Sequence, residues 1–205
     1  MIKTTAILVE ELKNYKAPND KIRNMVKNKE LFPIVRGLYE TDGNTSGYLL
    51  ASSIYNPSYL SFDFALSFYG LIPEAVYTFT SATFKKNRRR KFTTPFGTFL
   101  YRDIPETVYP LGIRIMQEGN YSYLIADAEK AICDKLYTLS PAFNIKELEY
   151  ILFNDLRIEE DEFYKLDKEK MSRFAKLFRS TNLDLLVKLL RRKNNDYNRS
   201  DARAI

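Results

Sequence analysis

The stretch that decides the reading of this chain is residues 4–40, TTAILVEELKNYKAPNDKIRNMVKNKELFPIVRGLYE. In its first third Ile7, Leu8, Leu12 and Tyr15 fall near one face of a 3.6-residue period, with Thr4 or Thr5 placed to cap, and this predicts a helix over 4–15. Lys16-Ala17-Pro18-Asn19 is a short connector, because Pro18 cannot continue that helix. Asn19 is expected to cap a second helix over 20–30. There Ile22, Met25 and Val26 stand at i, i+3 and i+4 and face inward, leaving Lys21, Arg23, Asn24, Lys27 and Asn28 on the outer face. Phe32–Tyr39 reads as a strand, and the turn formers of Glu40–Ser46 follow it.

Helix, tight turn, helix, strand and polar loop is the order of a winged helix-turn-helix. The outer face of the second helix carries what a major-groove reader needs. Asn pairs in a bidentate way with adenine, Arg with guanine, and Lys neutralises phosphates. Lys21 and Arg36 are candidates for further phosphate contacts. The same pattern also fits an amphipathic surface helix with a solvated polar face. A winged unit ordinarily places three helices before its first wing strand, and this chain has room for two. The helix at 4–15 corresponds to the second and 19–30 to the recognition helix. The supporting first helix is either absent or supplied from elsewhere, with 46–55 as the candidate.

Beyond residue 45 the pattern changes to short strands and helices. Residues 46–55 and Phe62–Tyr69 read as helices, and Val76–Phe84 as a strand. Phe92–Thr94 and Thr98–Arg102 read as strand pieces around Pro95-Phe96-Gly97, and Gly112–Gln117 and Tyr121–Ala126 as two more. Asp127 caps a helix over 128–139, and further helices fit 145–154, 168–179 and a last one from Thr181, followed by a polar tail after Lys193 expected to fray. The expectation is an α+β protein: a winged helix-turn-helix lacking its usual first helix over 1–45, then a mixed α/β domain with terminal helices over 46–205.

Composition narrows the chemistry. The chain has 205 residues with no His, no Trp, one Cys and seven scattered Gly. Zero His removes His general bases, Ser-His-Asp and Cys-His pairs, and His metal ligands. Cys133 alone makes neither an internal disulfide nor a Cys-rich zinc site, and no glycine run completes a phosphate-binding loop. No metal or cofactor is expected. Glu129, Lys130 and Asp134 suggest an acid–base set, but Lys130 and Asp134 at i, i+4 read better as a surface ion pair. Cys133 sits near an inner face with Ile132, Leu136 and Leu139, which favours a buried structural thiol. The expectation is a protein that is not an enzyme. No apolar run approaches a membrane span, and the run Ala6–Val9 is too short and too acidic behind to be a signal peptide, so a cytoplasmic chain is expected.

The net charge is +6, from 32 Lys and Arg against 26 Asp and Glu, and it is uneven. Residues 145–170 carry −4, so the rest carries about +10. Six of the seven residues in Lys85-Lys86-Asn87-Arg88-Arg89-Arg90-Lys91 are basic. Such a run reads as an exposed loop that contacts nucleic-acid phosphates, DNA or RNA, or else as a solvated loop tip. The fifteen Tyr and fourteen Phe fall mostly at strand and helix positions and read as core rather than as base-stacking platforms, with Tyr197 in the tail the exception. Arg191, Arg192 and Lys193 at the end of the last helix fit a helix dipole as well as a DNA contact.

Four motifs stand in a recognisable order: Arg36-Gly37-Leu38-Tyr39, Tyr69-Gly70-Leu71-Ile72-Pro73-Glu74, Thr94-Pro95-Phe96-Gly97-Thr98-Phe99, and Ala128-Glu129-Lys130-Ala131 continuing to Cys133-Asp134 and Leu136-Tyr137. In order and rough spacing, over residues 15–140, the chain resembles AbiEi-type proteins, the antitoxins of type IV AbiE toxin–antitoxin systems linked to abortive phage infection. The resemblance implies a winged helix-turn-helix that binds inverted repeats in the system's own promoter. It also implies a C-terminal antitoxin domain and a nucleotidyltransferase-like toxin as genetic partner, opposed without a stable complex being required. Direct binding of the toxin, with the acidic segment 159–162 as its surface, and a solitary DNA- or RNA-binding regulator are the alternatives.

Overall fold

The computed structural model describes the backbone of residues 1–201 and the side chains of residues 1–192. The chain is α+β, as its sequence predicts. Its first unit opens on a strand the sequence pattern does not reveal, β1 (Ile2–Thr4), which is too short to show alternation. There follow α1 (Thr5–Glu11), α2 (Pro18–Lys27), β2 (Phe32–Val35) and β3 (Leu38–Glu40). The three strands form an antiparallel sheet in the order β1-β3-β2. Thr4 ends the strand and caps the helix, its hydroxyl oxygen accepting from the Ile7 N–H at 3.3 Å. Helix α1 stops four residues before the apolar pattern does, which leaves Tyr15 outside it and half exposed; within the helix Leu8 is fully inward and Ile7 half exposed. Helix α2 has Ala17 at its N-cap and Pro18 in its first turn, so the proline opens the helix and Asn19 is not the cap. Leu8, Ile22 and Leu31 make a small core, with Leu12, Met25, Val26 and Tyr39 packed around it.

The second sheet has six strands: β4 (Tyr59–Leu60), β5 (Thr78–Thr83), β6 (Arg90–Thr94), β7 (Gly97–Asp103), β8 (Ile113–Glu118) and β9 (Tyr121–Ala126). Their spatial order is β6-β7-β5-β4-β9-β8, with β5–β7 and β4–β9 parallel and the other pairs antiparallel. The two-residue β4 therefore joins the two halves of the sheet. Residues 46–55 are helical as expected, but the segment opens as a 3-10 turn, Gly47–Leu50, and only its second half is α-helical, the single turn α3 (Ala51–Ile54). A Cβ on Gly47 would lie 2.3 Å from the Phe96 carbonyl oxygen, which explains the glycine at this close approach. Leu49, Leu50, Ala51 and Ile54 are buried in the large core, so this segment does not support the α1–α2 core. The two units meet at β2: Ile34 belongs to the large core, and Phe32 sits edge-on to Phe96 at 6.5 Å.

Helix α4 (Phe62–Phe68) and α5 (Ala128–Tyr137) pack together against the sheet. Beyond them lie α6 (Ile145–Tyr150), a π-helical turn at Ile151–Asp155, α7 (Glu160–Lys165), α8 (Lys168–Leu177) and α9 (Thr181–Asp201). Helix α7 is masked in the sequence by the acidic run at its start. Helix α9 extends through the polar residues read as a frayed tail up to 201, while the Tyr197 and Lys193 side chains lie outside the described side chains.

Helix α5 is covered on several sides, by α4, β9, α8 and α9. That burial corrects the reading of Lys130 and Asp134. They do form an ion pair, but one with no exposure at either side chain. Lys130 Nζ also donates to the Tyr59 hydroxyl at 2.7 Å, and Asp134 accepts from Tyr59 at 2.9 Å and Ser61 at 2.7 Å. Burial pushes the Asp134 carboxyl up, against the opposing pull of Lys130 and the two hydroxyls. Cys133 is buried beside this pair, and burial raises its thiol far from the range of a nucleophile.

Removing one partner strands the other, so Lys130→Met is expected to cost about 3–5 kcal/mol in urea denaturation. A loss below about 1 kcal/mol would mean that the hydroxyls alone sustain Asp134. A second expectation concerns acid. Burial disfavours ionised Glu129, but backbone N–H donors and Lys170 outweigh it and hold the carboxyl below its ordinary 4.5. A lowered folded-state value gives stability that is present above the unfolded value and lost as pH falls through the folded one. Stability should therefore decline below pH 4.5, and Glu129→Gln should flatten that decline; an unchanged acid limb would show that Glu129 does not contribute to it.

Candidate nucleic-acid interface

The residues singled out in the sequence fall into two groups. The first is on α2. Ile22 is buried against the small core, and this turns Arg23, Asn24, Lys27 and Asn28 to solvent. Arg23 makes an exposed ion pair with Asp20 at 2.7 Å, and Asn28 donates to Glu30 at 3.2 Å. Such exposed contacts are weak and open readily to a ligand. The Asn24 and Lys27 side chains have no hydrogen-bond or ion-pair partner among the described residues. Lys21 is half-buried, its ammonium lying 5.4 Å from the centre of the Tyr15 ring. Arg36 is exposed in the two-residue turn between β2 and β3, where Gly37 takes a φ of +80° that favours glycine. The Gly37 carbonyl accepts from the Thr5 N–H at 3.0 Å, which ties the hairpin tip to the start of α1.

The second group is the basic run, and it is not a free loop tip. Asp103, at the end of β7, accepts from the backbone N–H groups of Lys86 at 2.7 Å and Asn87 at 2.6 Å, and from the Thr83 hydroxyl. Lys85 and Asn87 take left-handed φ values of 54° and 53°, which the carboxylate clamp holds in place. The six cations then divide by task. Lys85 pairs with Glu106 at 2.6 Å. Lys86 donates to the Asn56 carbonyl at 2.9 Å and lies 5.0 Å over the Tyr55 ring. Arg88 and Arg89 line an open cleft with Arg102. Arg90 and Lys91 stand exposed on β6, an edge strand, where basic residues also discourage edge-to-edge pairing.

Two participants escape sequence reasoning. Asp103 is an isolated carboxylate without a motif, and Arg102 is one residue in a strand. Only their strand position opposite the basic run would have pointed to them. Burial, and after it the like charge of Arg89, pulls Arg102 below its ordinary value, with Asp63 opposing. The α2 group and the basic run stand on separate units that touch where β2 meets β6.

The carboxylates near α5 are engaged with one another's neighbours rather than gathered around an open site. Lys170 pairs with Asp127 at 2.8 Å and with Glu129 at 3.1 Å. Among the described residues no group of three or more His, Cys, Asp or Glu side chains is placed to hold a metal ion. No helix among them is long and apolar enough to cross a membrane.

No family model matches the chain, and no curated protein sequence matches it.

If Asp103 holds the basic run, Asp103→Ala leaves three donors without their acceptor at a cost of about 1–3 kcal/mol. Limited trypsin digestion should then cut within residues 88–91 about tenfold faster than in the wild type. An unchanged digestion pattern would show that the loop is held by other contacts.

Proposed function

We propose that this chain is a DNA-binding antitoxin and transcriptional autorepressor of a type IV toxin–antitoxin operon, acting in the cytoplasm against a nucleotidyltransferase-like toxin and without catalysis of its own. The resemblance of the four ordered motifs to AbiEi-type proteins supports the operon context. The order β1-α1-α2-β2-β3 and the sheet order β1-β3-β2 support a winged helix-turn-helix whose first helix is missing. In that unit α1 supports α2, and α2 reads the major groove.

The observation that carries the reading is the outer face of α2. One buried anchor, Ile22, fixes the helix, while Asn24 and Lys27 are exposed without internal partners and Arg23 is held only by an exposed pair. That donor set is what a major-groove reader presents. Arg36 at the hairpin tip and the Arg88–Lys91 portion of the basic run add backbone contacts and on-rate.

The exposed acidic stretch Glu159–Glu162 favours a second reading, direct capture of a basic surface on the toxin. It predicts a stable complex on co-expression, and recovery of the lone chain would count against it.

Gel-shift and fluorescence-anisotropy titrations against the DNA upstream of the gene test the first reading. Asn24→Ala is expected to lose about 1–3 kcal/mol on the specific site and little on random DNA. Neutralising Arg88, Arg89 and Arg90 should weaken both, and the salt slope should fall by about 0.9 for each phosphate the variant no longer neutralises. Equal affinity of the wild type for upstream and random DNA would end the claim of sequence reading.

A further inference from the structure

The cleft between the basic loop, β7 and the C-terminal end of α5 concentrates positive charge, with three guanidiniums against the one carboxylate of Asp103. It holds about 390 Å³ and is lined by Arg88, Arg89, Arg102, Asp103, Tyr137 and Thr138 among others. Arg102 and Thr138 also border a smaller recess of about 50 Å³ with Asp63 and Lys135 on its wall. The partners of Asp103 are neutral, so it stands as one negative charge against the three guanidiniums, whereas Asp63 is neutralised by a lysine. Asp103 accepts the backbone of the loop, and Asp63 pairs with Lys135 at 2.6 Å. Arg88, Arg89 and Arg102 have no ion pair among the described residues.

Two ordinary explanations for such a cluster fail. The first is that the arginines neutralise the C-terminal end of α5. Two carbonyls of its last turn already have donors: Lys135 O accepts from the Thr138 N–H at 3.0 Å and the Thr138 hydroxyl at 2.8 Å, and Leu136 O accepts from Asn182 Nδ2 at 3.0 Å. The second is that like charges merely spread into water from a loose tip. The Asp103 clamp and the left-handed residues Lys85 and Asn87 instead fix the loop that carries two of the guanidiniums beside the third, on β7. Fixing like charges together is unfavourable until an anion enters, and a guanidinium fork matches phosphate oxygens in pairs. The cleft is of the size of a small-molecule site, and the half-buried Tyr137 gives it one aromatic wall.

We propose that this cleft is a binding site for a terminal phosphate or diphosphate group, held by Arg88, Arg89 and Arg102, and carried either by a free nucleotide or by the 5′ end of a nucleic-acid strand. The site is separate from the α2 face and does not rest on operator recognition. It assigns Arg88 and Arg89 to a terminal phosphate rather than to the duplex backbone alone.

Isothermal titration of the full chain with inorganic pyrophosphate, with a nucleoside triphosphate, and with short single strands bearing a 5′-phosphate or a 5′-hydroxyl tests it. Saturable one-to-one binding of pyrophosphate, the nucleotide or the 5′-phosphorylated strand is expected. Arg102→Gln and Arg89→Gln should each weaken it about tenfold or more, and Lys91→Gln, on the edge strand, less than about threefold. Arg89 is exposed, so its variant keeps the test valid if Arg102→Gln melts early. Tighter binding of the nucleotide identifies a small-molecule ligand. A preference of about tenfold for the 5′-phosphorylated over the 5′-hydroxyl strand identifies a strand end. The proposal is overturned if none of the phosphate probes binds saturably at millimolar concentration, or if Lys91→Gln weakens binding as much as Arg89→Gln does.

Discussion

The ammonium of Lys130 and the carboxylate of Asp134 are sealed from water, one helical turn apart, and with them the six-stranded sheet is held to its helices. Their hydroxyl partners come from Tyr59, in β4, and Ser61, just beyond the end of that strand. That strand is only two residues long, yet it is the joint between β6-β7-β5 on one side and β9-β8 on the other. Two residues of ladder are too few to hold such a joint alone. A buried ion pair is a poor source of net stability, because desolvating both charges offsets most of their attraction. What it supplies is placement: only one position of α5 over β4 satisfies the ammonium, the carboxylate and both hydroxyls together. The position of α5 in turn sets where Tyr137 and Thr138 stand beside the basic loop.

From that frame the two functional surfaces follow separately. The small core of Leu8, Ile22 and Leu31 fixes which side of α2 meets solvent. The Asp103 clamp at the end of β7 fixes the basic loop on the larger unit. The contact of β2 with β6 connects the two surfaces. In the proposed reading, one unit would hold duplex DNA while the other meets a phosphate.

Element types are legible in the sequence where patterns are long or punctuated. The i, i+3, i+4 set on α2 and the Asp127 cap of α5 are readable, the latter seen as the Asp127 side chain accepting from the Lys130 N–H at 2.8 Å. Strand β1 is not, since three residues show no period. Residues 46–55 mislead only in helix type: their apolar spacing suits an α-helix, whereas the first half winds as a 3-10 turn that runs directly into α3. The Lys130–Asp134 pair misleads for a different reason. Spacing along a helix predicts that two charges meet, but not how many neighbours cover them, and burial here is decided by α4, α8 and α9. The basic run is visible as composition, but its division into anchored, cleft-lining and edge-strand cations depends on Asp103 and Arg102, which no local pattern marks.

The proposed reading stands or falls on α2 as the DNA-reading element. Amide chemical-shift mapping of the labelled chain during titration with the DNA upstream of its gene tests it most directly. The largest perturbations are expected to cluster on residues 20–28, with a second set at Arg36-Gly37 and a third in the basic loop, and random DNA is expected to move the loop far more than α2. Perturbations confined to the loop, or centred on the acidic α7, would contradict it.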